Sequence, residues 1–261
     1  MSCRASCFTL TGVTVDYGRG PALDGIDLRI EPGEAVAFVG PSGAGKTSLL
    51  KVLTGSVRPS GGTVAINGRE LHTLSASALR ETRACLGFVH QDLALVPNVR
   101  VIKNVLAGRL GRLSFPASVW TMLFPPRKLV MQAHEILERV GIGEKLYERT
   151  DRLSGGQQQR VAVARALFQQ PGALLADEPV SSVDPARARD LIKLLKTVSR
   201  ERTLTLCASL HDVGLAREFF PRLVGLRRGA VAFDCPPDQL KQRAFDELYD
   251  LETHEMLVDA G

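Results

Sequence analysis

The run Gly40-Pro41-Ser42-Gly43-Ala44-Gly45-Lys46-Thr47 matches the phosphate-loop pattern G-x-x-x-x-G-K-[ST] at every fixed position. Glycines at this spacing let a backbone bend round a polyphosphate with its N–H groups turned inward, and a following helix adds the positive end of its dipole. Lys46 is then placed for the β- and γ-phosphates and Thr47 for Mg²⁺, with Ser48 beginning the helix. A second group, Asp177-Glu178, ends the apolar run Ala173–Ala176 and precedes Pro179. A strand-end aspartate can hold Mg²⁺, usually through water, and a neighbouring glutamate can orient and deprotonate an attacking water. A third, Leu153-Ser154-Gly155-Gly156-Gln157, opens a helix with a hydroxyl and glycine N–H groups, which makes another anion site. The chemistry is binding and hydrolysis of a nucleoside triphosphate.

These residues need elements to hold them. Ala35–Val39, before the phosphate loop, is apolar and partly β-branched like a buried strand, and Ser48–Leu53 after it suits a helix ending near Gly55. Residues 8–39 carry near-alternating apolar character, with Pro32-Gly33 as the turn into the loop strand and Tyr17 in a loop between strands. Tyr17 is either a turn aromatic or a ring on which adenine stacks. Thr63–Ile66 reads as a strand closed by the hairpin signal Asn67-Gly68, and Leu86–Val89 as a strand with Gln91 just beyond its end.

From about 92 to 150 the texture is helical, Gly141 stopping a helix whose stripe includes Ala133, Ile136, Leu137 and Val140. Within it Leu113–Pro126 holds the only tryptophan, Trp120, among large apolar residues, as either a partner-facing patch or packing beneath a loop. Asp184-Pro185 caps the next helix, Thr203–Ala208 is a strand leading to Ser209-Leu210-His211, and the tail over roughly 236–258 is expected to be helical and acidic. Strands alternating with helices imply a mainly parallel, covered sheet with its sites at the strands' C-terminal ends.

Composition bounds the rest. The 261 residues are 44% hydrophobic and 23% charged, which is a globular composition, and the net charge of +5 is too small to mark a nucleic-acid binder. No apolar run approaches the roughly 18 residues of a membrane span, and no apolar core follows Arg4 as in a signal peptide. The five cysteines form no metal-ligand pattern, so the expectation is free thiols in a reducing cytoplasm.

The motif order resembles the ATP-binding subunits of ABC transporters across nearly the whole chain. Tyr17, residues 40–47, Gln91, 153–157, Asp177-Glu178, Asp184 and His211 stand in that family's order. The resemblance implies an α/β fold: a P-loop ATPase core with a mainly parallel sheet, an N-terminal antiparallel β subdomain and an inserted α-helical subdomain. The expected division of one domain, 1–261, is about 1–91 and 160–235 for the core, about 92–159 for the helical part with the signature, and about 236–261 for the tail.

It also implies roles. Tyr17 stacks on adenine; Gly40 to Ser48 bind ATP; Thr47, Gln91 and Asp177 serve Mg²⁺; Glu178, His211 and Gln91 are catalytic. Ser154, Gly155, Gly156, Gln157 and Asp184 reach a nucleotide across a dimer. One chain cannot aim both anion sites at one triphosphate if they lie on opposite faces, whereas a head-to-tail pair can. Integral-membrane permease subunits, a periplasmic binding protein acting indirectly and a place on the cytoplasmic face of the inner membrane are implied as well; nucleic acid is not.

Residues 104–111, Trp120–Phe124, Ser154–Arg160, Ala176–Pro185 and 209–211 are similar to the phosphonate-import ATP-binding subunits, with phosphite, phosphate or another small oxyanion as the alternative cargo. ABC ATPases that act on chromosomes need a long coiled coil between loop and signature, and none fits between 47 and 153. Ribosome-acting members usually carry two cassettes, and each motif here occurs once. A P-loop GTPase or kinase leaves the signature run unexplained.

Overall fold

A computed structural model describes residues 3–18, 20–180, 184–240 and 248. Its centre is a six-stranded sheet. β3 (Ala35–Val39) runs parallel to both β8 (Thr205–Leu210) and β9 (Arg222–Arg227), β7 (Ala173–Ala176) follows β8, and β6 (Leu86–Val89) forms the edge. β10 (Ala230–Cys235) turns back antiparallel on β9 at the other edge. A second sheet, antiparallel throughout, pairs β1 (Phe8–Asp16) with β2 (Pro21–Ile30) and β4 (Gly61–Ile66), and β4 with β5 (Arg69–Glu70). The expected Asn67-Gly68 hairpin is present, both residues at positive φ, as the tight β4–β5 turn requires.

The central strands are buried on both sides, so they read as continuous apolar runs, and their alternation divides them between two cores. Val36, Phe38, Leu175, Cys207 and Val224 point to the antiparallel sheet and to α1 (Lys46–Leu53). Ala37, Val39, Leu174, Ala176, Leu206 and Ala208 point to the opposite core. There they meet α3 (Val101–Ala107), α5 (Arg127–Arg139), α6 (Gly155–Phe168), α7 (Pro185–Glu201) and α8 (Val213–Phe219). Two further helices, α2 (Ala76–Arg83) and α4 (Phe115–Leu123), lie nearer the surface. No helix among the described residues is long and apolar enough to cross a membrane.

Most expected elements stand where the residues place them. α1 gives way to Gly55 at φ 65°, Gly141 at φ 74° follows α5, and the Asp184 side chain accepts from the Arg187 N–H at 3.0 Å to cap α7. β8 begins at Thr205 rather than Thr203, because Thr203, at φ 53°, is still in the turn out of α7. α2, α8, β9 and β10 had no counterpart among the expectations. The expected tail helix, apart from 236–240 and Leu248, lies outside the described residues, as do Ser182 and Val183.

The cysteine expectation needs correction. Cys3 and Cys85 form a disulfide, whereas Cys7, Cys207 and Cys235 are free thiols. The chain entry lies across the end of the central sheet, which brings the two together. Ser6 N–H donates to the Gly172 carbonyl at 3.1 Å, and Thr205 Oγ1 donates to the Ser6 carbonyl at 2.6 Å. Gly172 has to be glycine here, since a Cβ would fall 1.9 Å from the Arg4 carbonyl oxygen.

Candidate nucleotide site

The phosphate loop crosses from β3 to α1 under close approach by two other strands. A Cβ on Gly40 would stand 2.2 Å from the Leu226 carbonyl oxygen and one on Gly45 2.5 Å from that of Ala22. Both glycines also hold positive φ, 150° and 105°, which side chains disfavour. Lys46, the first residue of α1, is buried and donates through Nζ to the carbonyls of Gly40 at 2.7 Å and Pro41 at 2.9 Å. The loop is thus wound round its own lysine.

Thr47 Oγ1 donates to Asp177 Oδ1 at 3.1 Å, joining the first turn of α1 to the end of β7. Ser209 Oγ donates to the same carboxylate oxygen at 2.8 Å and accepts the Glu178 N–H at 2.8 Å. Ser209 is fully buried on β8, so one hydroxyl fixes both members of the acidic pair. It escaped the sequence reading as a site residue; the available signal was a polar residue in the buried run before His211. Glu178 itself has φ 45°, an uncommon conformation for a non-glycine residue that costs of order 1–3 kcal/mol and is found where a side chain must be aimed. Its Oε1 meets Nε2 of His211, just beyond the end of β8.

These residues share one cavity of about 330 Å³, lined by Ala22, Ser42–Ser48, Gln91, Glu178 and His211. Asp177 lies just behind it, bonded to Thr47. Tyr17 is exposed beyond its lining. Ser154 caps α6 by accepting the Gln157 N–H at 3.4 Å, while the Gln157 amide oxygen accepts the Ser154 N–H at 3.0 Å. This reciprocal cap is absent from the cavity lining. A Cβ on Gly156 would instead touch Arg187 at 3.9 Å, so the signature end of α6 sits by the start of α7, where Asp184 is the cap.

The segment after Gln91 is strained and clamped. Leu93 and Ala94 both hold positive φ, 60° and 45°, and Arg165 of α6 donates to their carbonyls at 2.7 and 2.5 Å. Burial lowers the pKa of the Arg165 guanidinium. His90, its ring tilted against that of Phe88 with centroids 4.5 Å apart, is held below its ordinary pKa first by partial burial and then by the charge of Arg165.

The ABC transporter family profile matches residues 23–181, more than half of the chain. The chain belongs to the ABC transporter family. It is 47% identical over 242 residues to the phosphonates import ATP-binding protein PhnC 2 of Pseudomonas aeruginosa, covering 92% of this chain and 90% of that one. A phosphonates import ATP-binding protein PhnC of Wolinella succinogenes is 44% identical over 228 residues, covering 87% and 82%. Among solved structures, the dimeric, post-hydrolysis ATP-binding cassette MJ0796 with ADP and phosphate superposes with a TM-score of 0.74 at 30% identity, covering 88% of this chain and 98% of that one. The cassette MJ1267 in its ADP conformation, 21% identical with a TM-score of 0.77, shares the fold over 97% of this chain and 98% of its own.

Proposed function

We propose that this ABC transporter chain is the ATP-hydrolysing subunit of an importer that carries phosphonates. The observation that carries the chemical part is the single cavity in which the phosphate loop, Gln91, Glu178 and His211 converge. The names of the relatives support the cargo.

In this reading the N–H groups of the 40–47 loop receive the phosphates, and Lys46 exchanges its loop carbonyls for β- and γ-phosphate oxygens. Thr47 and Asp177 offer hard oxygen donors 3.1 Å apart, a set that fits Mg²⁺, with Gln91 as a further ligand. Mg²⁺ when bound neutralises charge on the phosphates. Glu178, aimed by its backbone and by Ser209, takes the proton of the attacking water, and His211 holds Glu178 and faces the γ-phosphate. Tyr17 stacks on adenine.

Ser154, Gly155, Gly156, Gln157 and Asp184 serve the nucleotide of a second copy, because they line a different surface from the cavity. ATP then joins two chains, and hydrolysis lets them part. The helical part, about 92–159, meets integral-membrane permease subunits at the cytoplasmic face of the inner membrane, the core being about 1–91 and 160–235. A periplasmic binding protein delivers the cargo.

The expected results are specific. Lys46→Ala abolishes hydrolysis. Glu178→Gln binds ATP, hydrolyses it at least ~100-fold more slowly and accumulates as a dimer by light scattering. Adding Ser154→Arg returns that dimer to monomer with nucleotide still bound. Wild-type turnover in Lys46→Ala, or a Glu178→Gln protein monomeric both alone and with its permease, overturns the site. Transporter ATPase that responds to sugars, amino acids or peptides but not to alkylphosphonates, phosphite or phosphate overturns the cargo.

A further inference from the structure

α4 is built inside out. Ala117, Ser118 and Thr121 turn towards the protein, while Phe115 (81% exposed), Val119, Trp120 (63% exposed), Leu123 and Phe124 turn to the outside. The outward residues follow two adjoining rows of spacing four, 115–119–123 and 120–124, and so form one face. A surface helix ordinarily packs that face on the core. Here Trp120 and Phe124 pack on each other, ring centroids 4.9 Å apart, and the patch continues into solvent. The segment leading into it is fixed, because Arg80 of α2 donates to the carbonyls of Gly111 at 3.0 Å and Leu113 at 2.7 Å. Packing beneath a loop is therefore not what these side chains do.

Along the chain through the patch the charge has one sign. From residue 93 to residue 134 the sequence has no Asp or Glu, but six Arg and Lys. Two of these, Arg127 and Lys128, follow Pro125-Pro126 at the start of α5; both are exposed, and neither is in an ion pair among the described residues. They also occupy the first turn of a helix, where its dipole disfavours cations, with no acidic residue in that turn.

We infer that the α4 face, with Arg127 and Lys128, docks directly on an anionic lipid bilayer. Aromatic side chains settle at the boundary between headgroups and acyl chains, and flanking cations meet the lipid phosphates, so such a surface uses both halves of the feature. An apolar groove on a protein would use only the aromatic half.

Trp120 is the only tryptophan and reports the contact itself. The full chain is titrated with vesicles of phosphatidylglycerol mixed with phosphatidylcholine, and with phosphatidylcholine alone. Trp120 emission is expected to shift to the blue on the anionic vesicles and to be quenched by brominated acyl chains. The pair Arg127→Glu and Lys128→Glu weakens binding about tenfold to thirtyfold, following the usual contribution of each surface cation. Phe124→Ser keeps the reporter and also weakens binding, while basal ATPase is unchanged in both variants as a check on folding. Emission unmoved by anionic vesicles, or moved equally by both kinds, overturns the proposal. So does emission that moves only with the detergent-solubilised permease, which would make the permease the occupant. No cargo or permease enters the vesicle titration, so its failure is separate from failure of the transport reading.

Discussion

In β3, β7 and β8 the buried positions are filled almost entirely by apolar side chains; of the two buried hydroxyls there, Ser209 Oγ bonds to the acidic pair, and Thr205 Oγ1 donates to the Ser6 carbonyl and accepts the Gly33 N–H. Across residues 101–168 the interior is tied differently, by side chains that reach for backbone. Buried Asn104 donates to the Val96 carbonyl and Thr150 Oγ1 and accepts the Val96 N–H, Thr150 Oγ1 donates to the Val99 carbonyl, and Gln158 donates to the Thr150 and Leu153 carbonyls. Arg160 donates to the Val140 carbonyl, and Arg165 to those of Leu93 and Ala94. The sheet region holds its geometry by ladder hydrogen bonds and packing on two faces; the helical region holds loops that have no ladder. Directional polar ties are what irregular backbone requires once it is away from water. The difference teaches where each part is sensitive: the sheet at two hydroxyls, of which Ser209 serves the site, and the helical region at a distributed set of amides and guanidinium groups.

Ser209→Val tests that contrast most severely. It leaves the half-buried Glu178 N–H without its acceptor and Asp177 with Thr47 Oγ1 as its remaining side-chain donor, so a loss of about 1–3 kcal/mol in urea unfolding is expected. Turnover should fall at least ~10-fold as Glu178 loses its seat. Wild-type turnover would mean that the hydroxyl does not position the pair. Asn104→Leu carries the same question into the helical region. It orphans the Val96 N–H and carbonyl, and a loss of about 1–2 kcal/mol is expected with nucleotide affinity at the phosphate loop unchanged. A fall in ATP binding equal to that of a phosphate-loop variant would erase the distinction between the regions.

The smallest effect concerns the join between them. His90, at the end of β6, has a lower pKa folded than unfolded. The unfolded chain therefore takes up more protons as pH falls, so its contribution to stability is present above the ordinary histidine value of about 6.5 and is lost below it. Melting temperature between pH 7 and pH 5 should fall slightly more steeply for the wild type than for His90→Gln; solvent exposure of the ring keeps the difference small. Parallel curves would remove His90 from this role.

The sheet and most of its site were legible because their signals are local. A glycine spacing, a buried run and a strand-end acid each lie within a few residues, and α5, α6 and α7 carry their own caps and stops. The missed features depend on partners far away in sequence. Cys3 and Cys85 are 82 residues apart with no spacing rule to join them. Arg112, Arg160 and Arg165 donate to carbonyls, an acceptor that every residue possesses and that leaves no mark in composition. The apolar content of α4 was plain, but which face meets the core is decided by α3 and the arginine-held segment before it. β9 was obscured by Gly225, which makes room for the Phe233 ring of β10: a Cβ there would stand 2.3 Å from it.

Helix α6 has a mechanical consequence. Its 14 residues form a rod about 20 Å long, at 1.5 Å per residue. One end is the Ser154 cap with its two glycines; near the other, Arg165 grips the left-handed pair at Leu93 and Ala94. Between them Val161, Ala162, Val163 and Ala164 are fully buried, which leaves the rod no room to flex. It therefore acts as a lever with a gripped far end. A displacement applied at the glycines must either arrive at the backbone next to Gln91 or break the two bonds that Arg165 makes.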